Sequence, residues 1–161
     1  MPSIKKMIFL AVIIVILIFF WIAFYYFLQD IGQIREIEAS IYRGGAEKAT
    51  LKLETATDPI SQAKGLSGRD KLQETDGMLF IFDSDEPRVF WMAGMRFSLD
   101  IVWIKDNVVI GIEYDVPPYK SSEGMPEFYE SPGPVDKVLE LPAGEAETID
   151  LQIGDRLVVK Q

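Results

Sequence analysis

The chain of 161 residues has no cysteine and no histidine. Without cysteine there is no disulfide, no thiolate nucleophile and no Cys-based zinc or iron–sulfur site. Without histidine there is no Ser-His-Asp triad, no imidazole base and no histidine metal ligand. Positive charge is also scarce: 16 Lys+Arg stand against 25 Asp+Glu, a formal charge of −9. A nucleic-acid partner is therefore not expected, because phosphate binding requires a basic surface. The sequence carries no G-x-S-x-G, G-x-G-x-x-G, P-loop or calcium-loop motif, and its serines give no expectation of a nucleophile. No metal and no cofactor is expected. Carboxylates, arginine and aromatic rings remain as the working groups.

What is abundant is unevenly placed. Met7 to Leu28 is a run of 22 residues without a charge. As a helix it would extend about 33 Å, enough for a bilayer core near 30 Å. Lys5 and Lys6 precede it, and Trp21, Tyr25 and Tyr26 lie toward its far end. The expectation is a single N-terminal transmembrane helix with the N-terminus in the cytoplasm, a membrane partner for residues 7–28, and the remainder outside the cytoplasm. The run is longer than a signal-peptide core and has no small-x-small site. With the two lysines set aside, residues 29–161 hold 14 basic and 25 acidic side chains, a net −11. The expected division is 1–28 anchor, 29–48 stalk and linker, and 49–161 folded domain.

In Gln29–Tyr42, Ile31, Ile34, Ile37 and Ile41 recur at helical spacing, predicting a helical stalk, with Arg43-Gly44-Gly45-Ala46 as a flexible link. Residues 49–57 alternate as a half-buried strand. Asp58-Pro59 opens a short helix that stops at Gly65. Strands are predicted over 77–82, 89–93, 99–105, 108–114, 135–141 and 156–160, with Asp106-Asn107 as a two-residue hairpin turn. A second short helix is predicted over 143–148. The Pro-rich stretch 116–134 contains Tyr119, Met125, Phe128 and Tyr129, so it is expected to pack on the domain. The fold class is mainly β: an antiparallel sandwich or barrel-like domain with one or two short helices.

Several segments in order carry a resemblance. They are Gly65-Leu66-Ser67-Gly68-Arg69, Gly77-Met78-Leu79-Phe80-Ile81-Phe82, Phe90-Trp91-Met92, Ser98-Leu99-Asp100-Ile101, Val138-Leu139-Glu140-Leu141 with Gly144, and Gly154-Asp155. Together they resemble the domain of unknown function 192 family, whose usual pattern is GLMxR, GMLFxF, FWMKNTxxPLDIxF and VLEL. The resemblance implies a compact β-rich domain, commonly exported or membrane-tethered in prokaryotes, and no established activity. Ser67 replaces the family's Met, Ala93-Gly94-Met95 replaces Lys-Asn-Thr, and Ser98 replaces a Pro.

Candidate site residues follow from chemistry. Arg69 could hold an anion bidentately, or pair internally with Asp100 or Glu140. Asp100 and Glu140, on separate strands, could act as the carboxylate pair of a glycosidase-like hydrolase. Trp91 and Met92 could line a groove, and Tyr119, Phe128 and Tyr129 sit on a loop, where binding residues often lie. The leading expectation is a ligand-binding or accessory envelope module for a small molecule, glycan or peptide. The alternatives are the Asp100/Glu140 hydrolase and a structural protein that oligomerises through the stalk.

Overall fold

A computed structural model describes residues 4–30, 34–120, 122 and 124–160. The chain divides into two units, residues 1–33 and 34–161. In the first, α1 spans Ile4–Asp30, and its described side chains are those of Met7 and residues 13–25. Among the described residues, no helix is long and apolar enough to cross a membrane. The expected transmembrane helix, its N-in orientation and the extracytoplasmic placement are corrected on that finding.

The second unit is mainly β. Seven strands close into a barrel in the order β1-β2-β3-β8-β5-β6-β9, and β4 and β7 form a separate two-stranded sheet. The strands are β1 (Arg35–Arg43), β2 (Ala46–Ala56), β3 (Gly77–Glu86), β4 (Val89–Trp91), β5 (Leu99–Lys105), β6 (Val108–Val116), β7 (Phe128–Glu130), β8 (Val135–Pro142) and β9 (Arg156–Val159). Among the described residues two short α-helices, α2 (Pro59–Lys64) and α3 (Glu145–Thr148), complete it. Of the expected sandwich or barrel, the sheet is a closed barrel, which leaves no long free edge. Every pairing in the barrel is antiparallel except β2–β3, which runs parallel from Leu53↔Gly77 to Ala56↔Phe80. That parallel pair needs a crossover, and α2 with residues 65–76 supplies it.

The helical stalk is a second correction. Residues 35–43 are strand β1, with Ala39 and Ile41 fully buried. Ile37, Ala39 and Ile41 recur at period two, and burial against the barrel selects that period over the helical one. Ile31 lies outside the described residues. Gly44 and Gly45 have φ of +57° and +84° and form the tight turn into β2, so they are not a flexible link. Asp106 and Asn107, at φ +49° and +65°, make the β5–β6 turn in the same way.

Strands β3, β5 and β8 are covered on both faces. Inside the barrel pack Ile41, Leu53, Leu79, Val102, Ile104, Leu139, Leu141 and Leu157. Outside it a second core joins Leu66, Met78, Phe80, Met92, Leu99, Ile101, Trp103 and Val138. The layer over this outer core is made from the α2 crossover, the β4–β7 sheet and the Pro-rich stretch, and it builds the site described next.

Candidate functional site

The α2 helix begins as its sequence dictates. Asp58 caps it, Oδ1 accepting from the N–H groups of Ile60 (2.9 Å) and Ser61 (3.2 Å), and Pro59 occupies the first turn. Gly65 ends it at φ +47°, where a Cβ would meet the Phe80 ring at 3.2 Å. The chain thus turns sharply against the outer face of β3. Between this turn and β4 lies a cavity of about 390 Å³. Gln62, Lys64, Gly65, Leu66 and Ser67 form one wall. Phe80, Phe82, Arg88, Phe90 and Trp91 form the other, and Glu140 also lines it.

Register places Glu140 there. On β8 it lies opposite Met78 of β3 and Ile101 of β5, all facing the outer core. It is 6% exposed, and its Oε2 is buried without a hydrogen-bond partner. Burial pushes its carboxyl up to about 8, so it is largely protonated at neutral pH. Among the described residues the other buried side-chain atoms without a partner are Arg88 Nε and Trp103 Nε1. Arg88 lies over the Phe82 ring, 4.0 Å from its centroid, and Nη2 donates to the Ser84 carbonyl at 2.8 Å. Phe90 packs edge-on against both Phe80 and Trp103. Trp91 is half exposed and stacks on Phe128, ring centroids 5.9 Å apart and planes 9° from parallel.

The expected site residues separate accordingly. Asp100 does not meet Glu140. It pairs in register with Leu141 and faces the barrel interior, while the neighbouring Ile101 shares the outer face with Glu140. Its carboxylate accepts from the backbone N–H groups of Asp115, Gly144 and Ala146 at 2.9–3.0 Å and ties α3 to β5. Two carboxylates on opposite faces of one sheet cannot flank a glycosidic bond, and the hydrolase arrangement fails on that geometry. Arg69 pairs with neither acid. It grips Glu54 bidentately at 2.6 and 2.7 Å, and Thr75 Oγ1 donates to the same carboxylate at 3.2 Å. The ion pair holds Glu54 below the usual carboxylate range.

Of the aromatic candidates, Trp91 reaches the cavity and Phe128 braces it. Met92 is 2% exposed and belongs to the outer core. Tyr119 and Tyr129 pack against that core, their hydroxyls donating to the Gly124 carbonyl (2.6 Å) and to Glu127 Oε2 (2.9 Å). Sequence reasoning missed Arg88, Phe80 and Phe82; alternation within the Gly77–Phe82 segment held the signal for the two rings. It also passed over the spacing Ser61-x-x-Lys64. That serine is no nucleophile: it is buried and its Oγ is engaged with Asp58 in the capping box, at 2.6 Å from Oδ2. Among the described residues no cluster of Asp and Glu could hold a metal.

No curated protein matches the chain. Two crystal structures share the fold. One, from Sinorhizobium meliloti 1021, is provisionally described as a transcription regulator; it is 28% identical with a TM-score of 0.70, over 79% of this chain and 95% of that one. The other, a protein of unknown function from Novosphingobium aromaticivorans, is 25% identical with a TM-score of 0.69, over 80% of this chain and 88% of that one. The profile of the DUF192 family, described as an uncharacterized ACR, matches residues 27–159. The barrel, the crossover turn and the segments that line the cavity are thus those of a family domain: the chain belongs to the DUF192 family.

Proposed function

We propose that this chain is a small-molecule-binding module whose ligand occupies the cavity over Glu140. One observation carries the reading. Four segments far apart in sequence and singled out by the family pattern, Gly65–Ser67, Phe80 and Phe82, Phe90 and Trp91, and Glu140, line a single cavity. Structural duty alone does not account for an unpartnered carboxyl at that point, since burying a polar group without a partner costs about 1–3 kcal/mol. A volume of about 390 Å³ suits a small organic ligand. The half-exposed Trp91, held flat by Phe128, offers a rigid apolar face at the mouth. The description of the Sinorhizobium protein is not carried over, because a chain of net −9 is poorly suited to duplex DNA.

A fragment screen by amide NMR on the full chain tests the reading. Binding compounds are expected to shift residues 62–67, 80–82, 87–93 and 140 together, and Trp91→Ala to weaken them at least tenfold. A screen whose hits leave all of these resonances unmoved would end it.

A further inference from the structure

Resting on that reading, we infer that the cavity takes a small organic carboxylate, an apolar body ending in one anionic head, which Glu140 and Arg88 receive together. The charges on its walls are unlike those of the whole chain. In a molecule of net −9, Lys64 and Arg88 line the cavity, and among the described residues Glu140 is the only acid that does. Unused hydrogen-bonding capacity points the same way. Arg88 Nε–H is buried without an acceptor, and the Glu140 carboxyl has a buried oxygen without a partner. One donor of the Gln62 amide is engaged, Nε2 donating to the Ile81 carbonyl at 2.8 Å. The Arg88 Nε–H can only donate and a neutral carboxyl can also donate, so one acceptor serves both. A carboxylate accepts from both and offsets the cation. The rings of Phe80, Phe82 and Phe90 surround the space left for its body.

The pH response follows from the surroundings of Glu140. Across the sheet it faces Met78 of β3 and Ile101 of β5, neither of which titrates. The charged residues lining the cavity with it are Lys64 of α2 and Arg88 ahead of β4. Burial alone keeps its proton on up to about pH 8. Above that, an ionised Glu140 stops donating and repels an anionic head.

Phenylacetate and its uncharged counterpart phenylacetamide are suitable probes, titrated calorimetrically into the full chain at pH 6, 7 and 9. The acid is expected to bind at least tenfold tighter than the amide at pH 6 and 7, and to weaken about tenfold between pH 7 and pH 9. In Glu140→Gln, which keeps a donor but cannot ionise, the acid still binds and the fall with pH disappears. In Arg88→Gln the preference for acid over amide is lost. Equal affinity of the wild-type chain for acid and amide overturns the assignment of ligand charge, while binding of both at the cavity leaves the binding module standing. Persistence of the pH fall in Glu140→Gln removes Glu140 from the head-group site. Absence of binding by either probe at 10 mM, with no fragment hit at the cavity, overturns this inference and the binding reading together.

Discussion

Glu140 ties stability to the same proton that the cavity uses. Its carboxyl ionises near pH 8 in the folded chain, against an ordinary value of 4.5. Between those values the folded chain keeps a proton that the unfolded chain releases, so stability falls as pH rises through the window and the contribution is gone above it. Gln is nearly isosteric and has no proton to lose. Glu140→Gln is therefore expected to match the wild type within about 1 kcal/mol at pH 5 and to exceed it by roughly 4 kcal/mol at pH 8.5, read from urea unfolding at both values. Two unfolding curves that keep the same separation at both pH values would contradict the burial argument. Glu54 behaves in the opposite sense. Arg69 lowers its carboxyl, so this pair stabilises above the ordinary carboxylate range and fades as pH falls below it. Both partners are mostly buried, and Arg69→Ala would leave a carboxylate held in the wall without its cation. A loss of about 2–3 kcal/mol at pH 7, shrinking below pH 4, is the expected result of the same measurement.

At the scale of elements, strands with local signals were legible and those decided by distant packing were not. Asp58-Pro59 and Gly65 bound α2, and Asp106-Asn107 turns β5 into β6, because cap and turn chemistry act within a few residues. Ile31, Ile34, Ile37 and Ile41 satisfy a helical period in the sequence, yet in β1, which holds Ile37 and Ile41, pairing with β2 and β9 selects the two-residue period instead. Strand β7, three residues inside a Pro-rich stretch, exists because Phe128–Glu130 finds Val89–Trp91. The candidate site was legible in part for the same reason. Trp91 and Glu140 stand in recognisable motifs, whereas the opposite facing of Asp100 and Glu140 depends on the register of β5 against β8. Gly77 shows how tightly such register is enforced. A Cβ there would lie 2.4 Å from the Glu140 carbonyl oxygen and 2.8 Å from Leu141 Cδ2, so β3 and β8 could not keep their spacing. At Gly44 a Cβ meets nothing within 4 Å, and only the left-handed backbone resists it. Gly77→Ala is expected to lose at least 3 kcal/mol in urea unfolding and Gly44→Ala about 1 kcal/mol. Equal losses would mean that β3 can shift at no cost.

At the scale of the whole molecule, the strand that closes the barrel is what sequence reading reached least. A boundary at residue 49 looks natural when Arg43–Ala46 is read as a link, yet it cuts the barrel. Strand β1 pairs with β2 along its full length and with β9 from Ala39 to Tyr42, and Ala39 and Ile41 are fully buried between them. Arg43 locks the seam further, donating from Nε to Asp155 Oδ1 and from Nη1 to Asp150 Oδ2, both at 2.7 Å. Without β1, the interior around Leu53 and Leu157 opens to water, and two strands present unpaired edges. The second unit begins instead at Ile34 and holds every strand of the barrel. A chain of residues 34–161 is therefore expected to unfold in one cooperative transition with dispersed amide NMR signals, and a chain of residues 49–161 to show neither. Cooperative melting of the shorter chain would mean that the other strands hold the barrel core without β1. Failure of the longer one would mean that residues 1–33 contribute to the barrel's stability.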